Sequence, residues 1–306
     1  MSTRVVYLLM TYNQREFVKE AVSSALAQTY SPLEIFISDD ASLDGTYDAI
    51  AAEVARYTGP HAVKLNRNKT RQGSVAHLAN TVETIGDAFV IMAHGDDIAV
   101  PNRAEMLVAA WQATGVSMVS SRAKWLNARD REPNASQSRL VTAEEIIARG
   151  WIDEMLGATL AFETEVVSSF DRLTPQNLGW GLDHVLPLRA AAMKGFFYIS
   201  DVLVSYRLHQ NNMSRFFREE GANRQLLAER HLTFELALRP IQKEDLLNLA
   251  RKNLTSRRHW LLVQQMKNKI LEDVSKWSRL RAGLKAQGLV PTWSPAEEVP
   301  AQKRLT

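Results

Sequence analysis

A short apolar segment that stops abruptly at two adjacent carboxylates is the strongest constraint on how this chain folds. Residues 88–93 are all apolar, and Asp96 and Asp97 follow almost at once. Such a run is typical of a buried strand, and an open α/β sheet holds its ligand at the carboxyl ends of its strands. Two acids there repel each other unless a cation lies between them, which predicts a divalent metal site. A turn that caps the helix beginning near Pro101 explains the pair equally well on this evidence alone.

The residues before this segment alternate between strand and helix patterns. Strands are predicted at residues 5–10, 33–38 and 63–66, and helices at residues 16–28, 44–57 and 74–85. Strand, helix and strand at this spacing predict right-handed crossovers in a parallel sheet. Over roughly a hundred residues, the alternation is typical of a nucleotide-binding α/β half-domain.

Two glycine-rich phosphate-binding motifs are missing from the sequence. No G-x-G-x-x-G follows the first strand, and G-x-x-x-x-G-K-[ST] occurs nowhere, so dinucleotide binding and P-loop hydrolysis are disfavoured. Asp39 and Asp40 follow the second strand as Asp96 and Asp97 follow the later one. These acids favour a nucleotide site built from carboxylates and a metal, with leaving-group chemistry at a diphosphate.

Composition indicates the size of the core and the cellular compartment of the protein. The chain has 306 residues, of which 45% are hydrophobic and 23% charged, so it can bury a sizeable core. Without cysteine it has neither disulfides nor thiolate metal sites, which fits a reducing compartment. The first residues lack a signal-peptide pattern, and no apolar run approaches the ~18 residues of a membrane span. We therefore expect a soluble, cytoplasmic protein.

Four short segments stand out in the first 105 residues: Met10-Thr11-Tyr12-Asn13, Gln28-Thr29-Tyr30, residues 38–46, and Gly95-Asp96-Asp97 with Pro101. In this order and spacing they resemble glycosyltransferase family 2, whose members are inverting GT-A enzymes that use nucleotide sugars. The resemblance covers about residues 4–215. It implies a Rossmann-like mixed sheet flanked by helices, with a nucleotide-binding half at 1–105, an acceptor half at 106–215 and a helical extension at 216–306.

The resemblance also implies a donor site. Asp40, with Asp39, would bind the uracil edge, and a solvated turn is the less favoured alternative for that pair. Arg71 would face the base or the phosphates, and a plain surface arginine is as good an interpretation. UDP-sugar is the expected donor, with dTDP-sugar open because thymine presents the same imide. The implied nucleotide-binding residues are Thr11, Tyr12, Asn13, Asp39, Asp40, Arg71 and Asp96.

The implied metal is Mn²⁺ or Mg²⁺, held by Asp97, Asp96 and His209. His209 belongs to Arg207-Leu208-His209-Gln210-Asn211-Asn212-Met213-Ser214, which resembles the family's R-x-H-x-x-N-x-S segment. The sequence departs from the family at His94, which occupies the place of the first Asp of the D-x-D region. This departure leaves open which of Asp96 and Asp97 is the direct ligand. For His94 itself, packing and function are equally good interpretations.

Asp183 is the expected catalytic base. It matches the family's E-D segment, in which Leu182 here replaces the Glu. Inverting transfer needs one carboxylate to accept the proton of the acceptor hydroxyl while that oxygen attacks the anomeric carbon. A helix N-cap is the structural alternative for Asp183. Trp180 is expected to stack on the acceptor sugar, or else to be a core residue.

Beyond residue 216 the pattern is helical, with segments predicted at 224–238, 243–254 and 257–282, while strands at 196–199 and 203–206 precede it. Residues 251–306 hold 12 Lys and Arg against 4 Asp and Glu. An apolar stripe on the last helix favours packing on the catalytic domain or a second subunit. Peripheral docking on anionic lipid at the inner face of the membrane is the alternative. The stripe consists of Trp260, Val263, Met266, Ile270, Val274 and Trp277.

The sequence therefore predicts an inverting, metal-assisted glycosyltransferase that acts on a glycan or lipid-linked acceptor in polysaccharide or cell-surface glycan synthesis. A homo-oligomer is compatible with this reading. Nucleic acid is not expected, because the strands lack aromatics clustered with basic residues. A sugar nucleotidyltransferase would need a glycine- and lysine-rich loop after the first strand. A non-catalytic nucleotide-sugar or membrane-binding protein with a decayed site draws support from His94 and Leu182.

Overall fold

A computed structural model of the chain describes residues 4–126, 137–174, 181–210, 212 and 224–289. The chain divides into two compact units. The first comprises Met1–Thr142 with Trp151–Leu208, and the second comprises Ala143–Gly150 with His209–Thr306. Among the described residues, no helix combines the length and apolar character needed to cross a bilayer.

The first unit is built on one mixed sheet. Its strands follow the order β3-β2-β1-β4-β8-β6-β9-β5, and β7 pairs with β9. The first four in that order are mutually parallel, whereas β8 runs antiparallel to both of its neighbours. The strands are β1 Val5–Thr11, β2 Glu34–Asp39, β3 Ala62–Arg67, β4 Phe89–His94, β5 Ile98–Ala99, β6 Met118–Leu126, β7 Arg139–Val141, β8 Ala161–Glu163 and β9 Phe196–Arg207.

Helices cover this sheet and make up the described part of the second unit. Two short 3₁₀ turns, Asp153–Met155 and Gly157–Thr159, lie between β7 and β8. The α-helices are α1 Val18–Leu26, α2 Thr46–Val54, α3 Ser74–Ile85, α4 Arg103–Thr114, α5 Ala143–Arg149, α6 Glu165–Ser168, α7 Leu182–Ala192, α8 Arg224–Lys252 and α9 Arg257–Ala286.

The apolar runs become central strands because both of their faces are covered. β1 and β4 are almost wholly buried, whereas edge strand β3 is half exposed along its length. α1 buries Val18, Ala21, Val22 and Ala25 at helical spacing. The sequence-predicted strands and helices of the first hundred residues are confirmed, with ends that differ by a few residues.

The register of the parallel strands brings their carboxyl ends into one line. Met10 of β1 pairs with His94 of β4, and Thr11 pairs with Asp39 of β2. The chain leaves these strands at neighbouring points, so the Asp40 N–H still donates to the Thr11 carbonyl at 2.9 Å. The acids that follow β2 and β4 therefore emerge along one edge of the sheet.

Two predicted breaks are wrong. Strands expected at 196–199 and 203–206 form one strand, β9, because register shifts at Ser121 and Arg122 of β6 absorb the irregularity between them. Helices expected at 224–238 and 243–254 form one helix, α8, with Pro240 inside it. A proline removes one helical hydrogen bond, but packing around the buried neighbours Arg239 and Gln242 keeps the helix continuous.

The second unit pairs α8 with α9 around buried charges. Arg239 donates to Asp273 across the two helices at 3.2 Å, and Arg281 donates to the fully buried Glu229 at 2.7 Å. Trp277 Nε1 donates to Thr233 Oγ1 at 2.8 Å. These contacts favour one register of the helix pair, because a shift along either helix would separate the buried Arg239 from Asp273 and the buried Glu229 from Arg281.

Candidate functional site

Asp39 anchors the ends of β1 and β2 to each other. Its Oδ1 accepts hydrogen bonds from Thr11 Oγ1 at 3.0 Å and from Ser42 Oγ at 2.5 Å. Its Oδ2 accepts from the Ser42 backbone N–H at 2.9 Å, and Arg67 Nε lies 3.9 Å away. Asp39 is fully buried, so this carboxylate holds the turn after β2 in place.

Asp40 holds the basic loop that crosses the same edge of the sheet. Its Oδ1 accepts from Asn68 Nδ2 and from the Gln72 N–H, both at 2.8 Å, and its Oδ2 accepts from the Gly73 N–H at 2.8 Å. Gly73 has φ +83°, a left-handed conformation that suits glycine. Asp40 therefore fixes the path of residues 68–73, including Arg71.

Arg71 lies over the aromatic ring of Tyr12. Its guanidinium carbon is 4.0 Å from the ring centroid, a cation–π contact. The neighbouring Asn13 joins the loops after β1 and β2: its Oδ1 accepts from the Leu43 N–H at 3.0 Å, and its own N–H donates to Ser42 Oγ at 2.8 Å. Six of the predicted nucleotide-binding residues thus lie within one connected network: Thr11, Tyr12, Asn13, Asp39, Asp40 and Arg71.

His94, Asp96 and Asp97 form a cluster at the end of β4. Their candidate ligand atoms all lie within 4.8 Å of one another, and His94 Nδ1 is 3.9 Å from Asp97 Oδ2. Asp97 Oδ2 is buried and has no hydrogen-bond partner within the described part of the chain. A buried carboxylate oxygen without a donor is strongly unfavourable unless a cation engages it. The cluster therefore fits a divalent cation.

The pKa shifts of Asp97 and His94 are consistent with a cation site. Burial, and then the charge of Asp96, raise the pKa of Asp97 well above its usual range. The hydrogen bond from the Arg207 N–H and the charges of Arg103 and Arg207 lower it, but by less. Desolvation lowers the pKa of His94, although 35% of its side chain is exposed and Asp96 and Asp183 oppose the shift. The imidazole is thus kept neutral, the form in which it can ligate a metal.

Two arginines position this acidic turn. The Arg207 N–H donates to Asp97 Oδ1 at 2.9 Å, its Nε donates to the Asp96 carbonyl at 3.0 Å, and its Nη2 donates to Glu20 at 2.8 Å. The buried Arg103 donates from Nη2 to the Met92 carbonyl at 2.7 Å. It donates also to the Ala158 carbonyl at 2.9 Å, which joins β4 to the second 3₁₀ turn.

Asp183 lies beside this cluster, with Gly157 between them. A Cβ built on Gly157 would be 3.7 Å from Asp183 Oδ2 and 3.8 Å from His94 Cε1. Asp183 is in the first turn of α7, where Gly181 occupies the N-cap position, so the N-cap interpretation of Asp183 is wrong. The predicted base and the predicted metal ligand pair therefore share one site.

Residues 8–159 match the model of the family described as Glycosyl transferase family 2. The chain carries a family 2 glycosyltransferase domain. It is 31% identical over 106 residues to a putative glycosyltransferase, EpsE, of Bacillus subtilis, covering 35% of this chain and 37% of that protein. It is 24% identical over 115 residues to the Escherichia coli UDP-Glc:alpha-D-GlcNAc-diphosphoundecaprenol beta-1,3-glucosyltransferase WfgD, covering 38% of this chain and 44% of that protein. The aligned part thus spans well under two thirds of these relatives.

Solved structures confirm the GT-A type of fold for this glycosyltransferase domain. Staphylococcus aureus TarS 1–349 in complex with UDP-GlcNAc superposes with a TM-score of 0.59 at 16% identity, covering 94% of this chain and 92% of that one. The mannosyltransferase PcManGT from Pyrobaculum calidifontis, in complex with GDP-Man and Mn²⁺, superposes with a TM-score of 0.50 at 17% identity, covering 94% and 80%. At these identities the likeness concerns the fold alone.

Two predicted residues of the glycosyltransferase site, Trp180 and His209, are not among the contacts given above. Trp180 lies outside the described residues. His209 is the first residue of the second unit, where its N–H donates to Asn212 Oδ1, and its assignment as a metal ligand stays a prediction.

Sequence reasoning missed the supporting roles of Arg103 and Arg207. Arg207 carried a signal, because it opens the R-x-H segment, whereas nothing in the local pattern marks Arg103, which donates to the carbonyls of Met92 and Ala158. The small residues at 157–162 do carry a signal, since they predict a close backbone approach along the donor sugar.

Proposed function

We propose that this chain transfers a sugar from a nucleotide-diphosphate donor to a hydroxyl of a glycan or lipid-linked acceptor in polysaccharide or cell-surface glycan synthesis, with inversion at the anomeric carbon. This proposal rests on one observation. Asp183 lies close to His94, Asp96 and Asp97, and this cluster is next to the connected network of residues that includes Tyr12. A base and a metal-binding acid cluster are what such a transfer requires within one site.

The donor site is proposed to select a uridine-like nucleotide. Tyr12 and Arg71 already stack together, and a planar base can extend that stack. Among the described residues, Asp40 Oδ2 accepts a hydrogen bond from the Gly73 N–H, and a carboxylate oxygen has capacity for a second donor such as the imide N–H of uracil. UDP-sugar is therefore the first candidate and dTDP-sugar the second. The TarS complex, which contains UDP-GlcNAc, supports this order.

Asp97 and Asp96 would hold a divalent cation, with His209 as the further predicted ligand. When bound, Mn²⁺ or Mg²⁺ neutralises charge on the departing nucleoside diphosphate. Arg207 holds both aspartates in position through Asp97 Oδ1 and the Asp96 carbonyl. Asp97 Oδ2, which has no protein donor, is left available to the cation.

Asp183 would accept the proton of the acceptor hydroxyl as that oxygen attacks the anomeric carbon from the side opposite the diphosphate. Two carbon–oxygen bonds change together: one forms to the acceptor oxygen, and the one to the diphosphate breaks. Gly157 leaves the space beside Asp183 Oδ2 free of a side chain. A sugar ring could therefore approach the carboxylate closely.

A nucleotide-sugar panel tests the proposal. Purified protein is incubated with UDP-, dTDP- and GDP-sugars and Mn²⁺, and nucleoside-diphosphate release is measured for wild type, Asp97→Ala and Asp183→Asn. We expect release from a UDP-sugar that excess chelator abolishes and that falls at least about 100-fold in each variant. Asp183→Asn should retain donor binding. The exposed Asp87→Asn serves as the matched control and should behave as wild type.

Undiminished release in Asp97→Ala, or in excess chelator, would overturn the metal assignment. Full activity of Asp183→Asn would remove the base. No release from any sugar nucleotide, with UDP still bound, would favour the non-catalytic alternative instead.

We also propose that α9 docks on anionic lipid at the inner face of the membrane. Trp260, Leu271 and Val274 lie on one side of the helix and are 42%, 70% and 46% exposed. The exposed bases Arg257 and Lys267 lie on the same side. Val263 and Met266 of the predicted stripe are instead buried, so the helix has one packed apolar face and one open face with basic residues, as interfacial helices do.

Vesicle sedimentation tests this docking. We expect binding to vesicles that contain phosphatidylglycerol, little binding to pure phosphatidylcholine, and release by salt, because the attraction is partly electrostatic. The double variant Leu271→Ser, Val274→Ser should lose binding, and Ser275→Ala is the surface control. Equal sedimentation of the double variant and wild type would refute the assignment of this face.

A further inference from the structure

We infer that His94 is itself a ligand of the metal and that its imidazole makes the site favour a transition-metal cation such as Mn²⁺ over Mg²⁺. The inference builds on the proposed function, in which Asp96 and Asp97 hold the cation. It assigns a role to the one residue at which the sequence departs from the family's acidic motif.

The first argument is the separation of the donor atoms. Two ligands of one ion at about 2.1 Å lie about 3 to 4 Å apart, and His94 Nδ1 lies 3.9 Å from Asp97 Oδ2. That distance is too long for a hydrogen bond between the two groups. Asp96 completes a cluster whose ligand atoms span at most 4.8 Å, so small side-chain rotations bring all three onto one ion.

The second argument is that the surrounding protein keeps Asp97 Oδ2 available to an ion. Asp97 is more than nine-tenths buried, yet none of the described residues donates a hydrogen bond to its Oδ2, while Oδ1 accepts one from the Arg207 N–H. His94 is the last residue of a central strand, paired with Met10 of β1. The backbone of His94 is therefore held rigidly beside the unpartnered oxygen.

The third argument is the chemistry of the ligand set. Mg²⁺ is a hard cation that prefers an octahedron of oxygen atoms. A ring nitrogen suits first-row transition metals better. A family member with Asp at this place offers three carboxylates, whereas this chain offers two carboxylates and one imidazole. Exchange of Asp for His should thus shift the preference away from Mg²⁺.

Pulsed electron paramagnetic resonance on the Mn²⁺-loaded full chain tests ligation directly, with and without UDP. Because His209 is also a predicted ligand, the comparison is made in His209→Ala: we expect a ¹⁴N coupling from the His94 imidazole in that variant, and no coupling when His94→Asp or His94→Asn is added to it. Circular dichroism checks that each variant is folded. A coupling that survives in His94→Asp and His94→Asn but disappears in His209→Ala would assign the nitrogen to His209 and overturn the inference.

Titration calorimetry with Mn²⁺ and with Mg²⁺ tests the preference. We expect the ratio of the two dissociation constants to change at least about tenfold toward Mg²⁺ in His94→Asp. The control Ser278→Asp adds the same charge on an exposed face of α9 and should leave the ratio unchanged.

An unchanged ratio in His94→Asp, or no Mn²⁺ binding by wild type, would refute the inference. These readouts are separate from nucleoside-diphosphate release. Sugar transfer that persists in His94→Asn with no nitrogen coupling in wild type would therefore refute His94 ligation while leaving the proposed function intact.

Discussion

At the scale of single residues, the acids in this molecule have separate tasks that their motifs do not distinguish. Asp39 is the last residue of β2, Asp97 follows β4, and both acids are buried. Asp39 has protein donors on both oxygens, whereas Asp97 has one oxygen without any. The number of protein donors therefore separates an acid that anchors a turn from one that is available to a cation.

Gly157 offers a test of the space between Asp183 and His94. An alanine Cβ would make ordinary contacts of 3.6 to 3.8 Å, so Gly157→Ala should fold normally. Gly157→Val should crowd the base and lower the turnover number about 10- to 100-fold, because small misplacements of reacting groups are costly. Turnover and thermal melting of both variants are the measurements.

Gly283→Ala is the control for these variants, since its Cβ would lie more than 4 Å from every described heavy atom beyond its chain neighbours and the adjacent helix backbone. It should raise the free energy of unfolding by up to about 1 kcal/mol and leave turnover unchanged. Wild-type turnover in Gly157→Val would show that the gap beside Asp183 is not used.

His77 predicts a pH dependence of stability. Burial lowers its pKa, against the charges of Asp40 and Asp39, and Ser38 Oγ lies 2.6 Å from Nε2. The folded pKa is below the unfolded value of about 6.5. The neutral ring thus contributes its full stabilisation above pH ~6.5, and that stabilisation is lost as the pH falls through the folded pKa.

Urea unfolding of wild type and His77→Gln at pH 7.5 and pH 5.5 measures this contribution. The free energy of unfolding should fall less on acidification in the variant. An equal fall in both proteins would assign the acid sensitivity to other groups.

At the scale of elements, buried ion pairs specify how α8 and α9 pair. Asp273 accepts from Arg239 at 3.2 Å and also pairs with Lys269 at 2.9 Å. Both Arg239 and Asp273 are almost fully buried. Removal of Asp273 leaves the buried Arg239 with the more distant carboxylate of Glu235, at 3.7 Å. The loss of a buried partner is more costly than the pair is stabilising.

Asp273→Ala should therefore lower the free energy of unfolding by about 3 kcal/mol. The neighbouring Glu272→Ala is a matched control on the exposed face and should change it by less than about 0.5 kcal/mol. Chemical denaturation monitored by circular dichroism distinguishes the two. Similar effects of both substitutions would mean that the Arg239–Asp273 pair does not stabilise the helix pair.

At the scale of the whole molecule, the topology gathers the site. Parallel pairing of β1 with both β2 and β4 aligns the points at which three loops leave the sheet. The nucleotide network and the acid cluster therefore belong to one edge, although their residues are spread from Thr11 to Asp97 along the chain. Binding at this edge should couple to the stability of the unit.

UDP with Mn²⁺ should raise the melting temperature of the wild-type chain. Ligand at about 100 times its dissociation constant stabilises the folded state by about 2.7 kcal/mol. Chelator should remove the part of the shift that depends on the metal, and Asp97→Ala should show only the shift of UDP alone. Differential scanning fluorimetry measures these shifts. An identical shift in Asp97→Ala with and without Mn²⁺ would contradict metal binding by this carboxylate.

The sequence alone determined the class of fold, the helices and strands of the first hundred residues, and the presence of acids after β2 and β4. Hydrophobic periodicity and the polar ends of strands are local properties, so a linear pattern records them. Local patterns also misled at Pro240, where the packing of α8 outweighs the preference of one residue.

Only the tertiary structure decided which groups meet. In the folded chain His94 lies beside Asp97, and Asp183 lies on the other side of Gly157 from His94. Within the described residues, one oxygen of Asp97 has no hydrogen-bond donor. These outcomes depend on strand register and on contacts between residues far apart in sequence. No periodicity within the chain encodes such distances, since they arise only when the sheet and its loops pack together.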